Sequence, residues 1–163
     1  MLVKEFQTIA AKLRRRLAAV EAVNAEFSGV YAALATDYLE QAASCLAAIQ
    51  GPEQMEEAHR ARIAAKHLRY LLEPVVSEHR PLSASVKALA ALQDVLGELH
   101  DAHVFAEHLK GNFGHDLGPE SVSFLQSRNL ERRDRSYESL RDRWLTQGTC
   151  ARLGEIRRSL PTA

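Results

Sequence analysis

Apolar residues recur three and four positions apart along most of this chain, the spacing that places them on one face of an α-helix. Glycine and proline interrupt the pattern, and the interruptions set the helix boundaries. The predicted helices run from Phe6 to Ser28-Gly29, from Val30 to Ile49, from Pro52 to Glu73-Pro74, from Pro81 to the loop between Gly111 and Gly118, from Pro119 onward, and, as a short last helix, after Gly148. Short connections between long amphipathic helices predict an all-α fold, an antiparallel helical bundle of about five to six helices.

The composition agrees with a helical protein of one domain. Hydrophobic residues make up 46% of the 163 residues and aromatic residues only 6%, a bias away from strand-forming side chains. This content is enough to bury a core, so we predict a single helical domain over residues 1–163. In one alternative, the two N-terminal helices form a separate hairpin.

The same sequence gives no sign of a secreted or membrane protein. Residues 1–5 lack a basic region followed by an apolar run, and no stretch approaches the roughly 18 apolar residues of a membrane span. Cys45 and Cys150 lie far apart without CxxC spacing, which predicts neither a zinc site nor a redox motif. We expect a cytoplasmic protein with no membrane partner.

The predicted third helix carries a local concentration of positive charge. The segment His59–Tyr70 contains six basic residues and no Asp or Glu, whereas the whole chain has a formal net charge of zero. At about 100° per residue, one stripe roughly 80° wide contains His59, Arg62, Lys66, Arg69 and Glu73. A separate apolar stripe contains Ala61, Ala65, Leu68 and Leu72. One face of this helix is expected to pack in the core and another to present positive charge.

The predicted fourth helix carries a second pattern. Its core stripe is expected to contain Leu89, Leu92, Leu96 and Leu99 and to continue to His103. A neighbouring stripe contains Gln93, Gly97, His100 and Val104, which places His100 at the edge of the core. Because glycine inside a helix costs about 1 kcal/mol relative to alanine, Gly97 indicates that another helix or a ligand comes close to the backbone.

Together the two segments resemble a known family. They read His59-x-x-Arg62-x-x-x-Lys66-x-Leu68-Arg69-Tyr70 and Lys87-x-Leu89-x-x-Leu92-Gln93-x-x-Leu96-Gly97-x-x-His100-Asp101-x-x-Val104. In this order they resemble the CHAD domain, the conserved histidine α-helical domain, and its C-terminal half more than its N-terminal half. The resemblance implies two related helical bundles whose basic residues line a shared surface, and an association with inorganic polyphosphate.

The sequence departs from that family in one respect. A full CHAD domain is longer and carries the His-x-x-Arg motif twice, whereas this chain carries it once. The chain therefore resembles a half-domain. Either it pairs with a second copy as a homodimer, or it is a fragment whose missing partner half-domain supplies the rest of the site.

The motif residues and the resemblance together predict a non-catalytic module that binds inorganic polyphosphate, with no catalytic residue, metal or cofactor. The predicted binding residues are His59, Arg62, Lys66, Arg69, Tyr70, Lys87 and His100. Arginine engages phosphate oxygens with a fork of N–H donors, and lysine acts as a point charge. Since histidine donates more strongly when protonated, we expect tighter binding at mildly acidic pH and a steep loss of affinity with salt. Polyphosphate granules are a further expected partner.

A metal-dependent phosphohydrolase of the HD type is an alternative. His100-Asp101 resembles the doublet of those enzymes, and His103 lies three residues further on. The remaining ligands would have to be His67 and either Asp116 or Asp134, at spacings that are not diagnostic.

Other interpretations leave the basic stripe without a ligand. Arg62 and Lys66 suit a solvated face, Arg69 suits an ion pair with Glu73, and Tyr70 suits a packing role. A structural or adaptor bundle that binds an acidic protein is a third functional class. The arginine clusters at 14–16 and 128–135 are expected on outer helix faces, and specific nucleic-acid binding is not expected because aromatic residues are few.

Overall fold

The structure is a computed structural model that describes residues 28–77, 80–111, 117–146 and 148–160. The predicted first helix, from Phe6, lies outside the described residues. The chain divides into two compact units, one of Met1–Leu34 with Pro161–Ala163 and the other of Ala35–Leu160. The contacts between helices given below belong to the second unit. The expectation of a single domain stays a prediction.

Helices make up nearly all of the described chain. They are α1 at residues 28–48, α2 at Met55–Leu72, α3 at Leu82–Lys110, α4 at Pro119–Leu140 and α5 at Gly148–Ser159. A 3-10 turn at Glu73–Val75 follows α2, and a π-helical turn at Arg141–Leu145 follows α4. No strand occurs within the four described ranges. The predicted all-α fold is confirmed.

Proline and glycine mark most of the helix ends, as predicted. The helix α2 ends immediately before Glu73, because Pro74 disfavours α-helical geometry at the residue that precedes it. The helix α3 starts directly after Pro81 and stops before Gly111. Pro119 occupies the first turn of α4, where its missing N–H costs nothing.

Ser28 and Gly29 are both helical, so the described part of α1 begins two residues before the predicted start near Val30. The break or kink predicted at this pair stays a prediction. A Cβ at Gly29 would meet nothing within 4 Å, so no contact requires glycine there. Glycine inside a helix costs only about 1 kcal/mol, which the rest of a long helix can absorb.

The predicted start of the third helix at Pro52 is wrong, because α2 begins at Met55. Residues 51–53 form a turn instead. The Gly51 backbone N–H donates a hydrogen bond to Gln54 Oε1 at 3.0 Å, so the Gln54 side chain reaches back across the turn. The Gln54 backbone N–H donates to the Gly51 carbonyl at 3.3 Å and closes the same turn before the helix begins.

The helix α3 forms the centre of the second unit and packs against α2, α4 and α5. Its buried leucines include Leu82, Leu89, Leu92, Leu96 and Leu99. The buried side of α2 consists largely of alanine, at Ala58, Ala61, Ala64 and Ala65. Small side chains on α2 and leucines on α3 let the two helices pack closely. Truncating one of these leucines to alanine should cost about 2–5 kcal/mol.

The predicted core stripe of α3 is wrong at its last residue. His103 is exposed, and Ala102 and Leu109 are buried instead. The buried Asn129 of α4 donates from Nδ2 to the Ala102 carbonyl at 2.8 Å. The face of α3 that α4 covers at this point therefore includes Ala102 and not the exposed His103.

Polar contacts also fasten the C-terminal helices to α3. Ser136 Oγ on α4 donates to Glu98 Oε2 at 2.9 Å, and the hydroxyls of Ser85 and Ser159 lie 2.7 Å apart. The π-helical turn buries Trp144, whose ring lies 5.5 Å from Arg152 Cζ on α5. Among the described helices, none is both long and apolar enough to cross a membrane.

Candidate functional site

The packing of α2 against α3 brings the two sequence motifs together. His59 lies opposite His100, and Arg69 lies opposite Gln93. Because the residue numbers rise along α2 as they fall along α3, the two helices are antiparallel. We call the resulting surface the α2–α3 strip, consisting of His59, Arg62, Lys66, Arg69, Gln93, Gly97 and His100.

Arg62 is the nearest neighbour of the glycine in the middle of α3. A Cβ built at Gly97 would lie 3.7 Å from Arg62 Nε, an ordinary contact distance. A side chain of the neighbouring helix therefore lies beside Gly97, but it leaves room for an alanine. Arg62 is half-buried, and its Nε is buried with no hydrogen-bond acceptor among the protein atoms.

Arg69 is held by two neighbours. Its Nε donates to Gln93 Oε1 at 3.1 Å, and its Nη1 donates to Glu73 in an ion pair on the same helix. The side chain retains 21% of its exposure. The ion pair with Glu73 that the sequence suggested is therefore present, and it offsets part of the positive charge of Arg69.

Tyr70 lies on the outer side of α2, and the half-buried Lys66 lies beside it. Tyr70 is 50% exposed, so it is not a packing residue of the core. Its ring lies 4.5 Å from Arg69 Cζ and 5.6 Å from Lys66 Nζ, both within cation–π range. The ring thereby helps to hold two cations on one side of the helix.

The two histidines mark one end of the strip. The ring centroids of His59 and His100 lie 5.6 Å apart, with a tilt of 40° between the planes. His59 is exposed and His100 is half-buried, as predicted for a residue at the edge of the core. The two imidazoles therefore lie side by side where α2 and α3 meet.

Lys87 is a predicted binding residue with no described contact to the strip. It is exposed on α3. Helix geometry places it about a third of a turn away from Gln93, Gly97 and His100. The exposed acidic residues Asp94 and Asp101 lie on the helix face between.

Gln93 belongs to the strip although the predicted binding residues did not include it. Its helical position beside Gly97 and His100 was visible in the sequence, but its contact with Arg69 depends on how α2 and α3 align. Gln93 Nε2 is buried without an acceptor among the protein atoms, like Arg62 Nε. These two are the buried side-chain polar atoms left unpaired in the described part of the chain.

The residues suggested for a metal-dependent hydrolase are spread over several elements. His67 contacts Tyr38 of α1, with ring centroids 5.1 Å apart, and Asp134 pairs with Arg133 on α4 at 2.8 Å. Asp116 lies outside the described residues. No group of three or more His, Cys, Asp or Glu side chains suited to a metal ion occurs among the residues that the structure describes.

The second arginine cluster lies on α4. Arg128 pairs with Glu131 at 2.7 Å, and Arg133 pairs with Asp134. Arg132 and Arg135 are exposed. The cluster at residues 14–16 lies outside the described residues.

A comparison with known protein families identifies the fold family. The family model named CHAD domain matches residues 2–110, about two thirds of the 163 residues. The match includes α2 and α3 and leaves α4 and α5 outside. No curated protein and no solved structure matches the chain. With its two motifs paired on adjacent helices and this match over most of its length, the chain belongs to the CHAD domain family.

Proposed function

We propose that this chain is a non-catalytic module that binds inorganic polyphosphate along the α2–α3 strip. The CHAD family is linked to polyphosphate binding. The observation that carries the proposal is the row formed by Arg62, Lys66 and Arg69 on one side of α2, in which Arg62 and Arg69 contact residues of α3. Positions four and three residues apart correspond to about 6 and 4.5 Å along the helix axis. Such a row suits a linear polyanion better than a compact ligand.

The chemistry of the strip favours phosphate over nucleic-acid bases. Each internal phosphate of polyphosphate carries a negative charge and presents oxygen acceptors, which match guanidinium and ammonium donors. Tyr70 is the aromatic ring beside the strip, and its neighbours are already the cations Lys66 and Arg69. Stacking of bases on exposed aromatic rings is therefore a minor contribution here.

A titration with polyphosphates of several lengths tests the proposal. The triple variant R62A/K66A/R69A removes the row, and R132A/R135A/R143A removes three exposed arginines from α4 and the following turn. At about 1 kcal/mol per cation, loss of the row should weaken binding about 100-fold. The control variant should bind within a few-fold of wild type. Equal losses in both variants would contradict a binding site on the strip.

The half-domain character suggests how a longer ligand is held. The family arrangement implies two bundles that share one basic surface, and this chain carries one set of motifs. We propose that a long polyphosphate chain is shared between the strip and a second such surface, on another copy or on a partner half-domain. Mass measurement in solution tests this: long polyphosphate should give a complex with two copies, and tripolyphosphate should not. Binding to polyphosphate granules in the cytoplasm belongs to the same proposal.

A further inference from the structure

The side-chain amide of Gln93 has a defined orientation. Its Oε1 accepts the hydrogen bond from Arg69 Nε at 3.1 Å. If the amide were flipped, two donors would face each other, so the contact with Arg69 assigns the oxygen and the nitrogen. The N–H groups of Gln93 Nε2 are consequently buried, and no protein atom accepts a hydrogen bond from them.

Arg62 presents the same chemistry from the other helix. Its Nε is also a donor, also buried, and also without a protein acceptor. Arg62 lies against Gly97, one turn of α3 from Gln93. Leaving a buried donor unpaired costs about 1–3 kcal/mol, and more for a charged group. Two such donors in one strip are unusual, because nearly all buried polar groups in proteins are hydrogen-bonded.

The kind of group that would pair with both atoms follows from their chemistry. Both are donors, so the partner must be an acceptor, and the positive charge of Arg62 favours a negatively charged one. The carboxylate of Glu73 already accepts from Arg69. A tetrahedral phosphate offers several oxygens in different directions, so one unit can accept from more than one donor.

We propose that Gln93 is a ligand-binding residue that, with Arg62 and Arg69, anchors one phosphate unit of the polyanion in the middle of the strip. This inference rests on the proposed function and names the point where the ligand is held most firmly. The oxygen of Gln93 positions Arg69, and its nitrogen donates to the ligand. Because the two unpaired nitrogens are buried, a small movement of side chains at the edge of the strip accompanies binding.

This anchor predicts how affinity depends on ligand length. One phosphate unit occupies the anchor, and the others contact the half-buried Lys66 and the exposed His59. Tripolyphosphate should therefore retain measurable binding, and longer chains should add affinity in smaller steps. A surface without an anchor would instead bind short chains negligibly.

Two substitutions of Gln93 test the inference. Gln93→Met keeps the length of the side chain and removes both polar atoms, and it should weaken tripolyphosphate binding about tenfold, the equivalent of one hydrogen bond to a charged group. Gln93→Glu supplies a carboxylate that pairs with Arg62 and Arg69. It should raise the melting temperature while it weakens binding by more than tenfold.

The control is Gln126→Glu, the same change at an exposed position of α4. It should alter binding less than threefold, which separates the local effect of Gln93→Glu from the change in net charge. The anchor would be overturned, and the proposed function left intact, if both Gln93 variants bound like wild type while R62A/K66A/R69A lost affinity. Failure of the wild-type protein to bind any polyphosphate would overturn both.

Discussion

Substitutions at Gly97 test the packing of Arg62 on α3 most sharply. Gly97 lies inside a 29-residue helix, where alanine is favoured over glycine by about 0.5–1 kcal/mol. The added Cβ would lie 3.7 Å from Arg62 Nε, so it fits without displacing the arginine. Gly97→Ala should therefore increase the free energy of unfolding by about 0.5–1 kcal/mol, or about 1–4 °C in melting temperature.

A larger side chain at the same place should have the opposite effect. Gly97→Leu adds three carbons more than Gly97→Ala does, at the place where Arg62 lies. Overpacking of this kind costs about 1–3 kcal/mol. Displacement of Arg62 also removes a cation from the strip, so polyphosphate affinity should fall about tenfold. Urea unfolding measures the first quantity and titration calorimetry the second.

The chain contains a matched control for both substitutions. Gly154 lies inside α5, away from the strip, and a Cβ there would lie 3.6 Å from Nη1 of Arg158 on the same helix, a similar contact distance. Gly154→Ala should stabilise to a similar degree, and Gly154→Leu should leave polyphosphate affinity unchanged. The packing argument is refuted if Gly97→Ala destabilises the protein by more than 1 kcal/mol, or if Gly97→Leu binds polyphosphate like wild type.

Three other predictions concern salt, pH and the free thiol. Each phosphate contact releases about 0.7 counterions, and the row has three cations, so polyphosphate affinity should fall roughly 20-fold between about 50 and 200 mM salt. An affinity that does not change with salt would contradict electrostatic binding. Histidine gains positive charge as the pH falls below neutral, so affinity should rise on acidification, and the rise should disappear when His59 and His100 are both changed to Gln. Burial is the main cause that raises the pKa of the Cys45 thiol, with the Arg60 charge opposing it. A raised pKa leaves less thiolate at a given pH. In a Cys150→Ser background, Cys45 should therefore react with iodoacetamide more slowly in the folded than in the unfolded protein near pH 8. Equal rates would contradict the raised pKa.

The basic face of α2 and most helix ends could be predicted from the sequence because each depends on local features. Helical periodicity gives the angular position of Arg62, Lys66 and Arg69, and Pro81 and Pro119 mark helix starts that any tertiary context must respect. These features are independent of the partner helix. The CHAD motifs could be recognised in the sequence for the same reason, since each lies within a single helix.

Contacts between helices could not be predicted in the same way. Periodicity does not determine which residue of α3 lies opposite Arg69, because that depends on how the alanines of α2 pack on the leucines of α3. Gln93 was therefore missed as a site residue, and Lys87 was grouped with residues that lie on another face. His103 was assigned to the core because its spacing from Leu99 fits the helical repeat as well as that of Ala102, and which of the two α4 covers has no local signal.

The most direct test of binding on the α2–α3 strip is a heteronuclear NMR titration of the wild-type protein with tripolyphosphate. The side-chain N–H signals of Arg62, Arg69 and Gln93 report on the atoms that are proposed to contact phosphate. The account predicts that these signals shift together and saturate at one ligand per strip, while those of Arg132 and Arg135 on α4 change little. Saturable shifts confined to the α4 arginines, with the Gln93 amide unchanged, would contradict it.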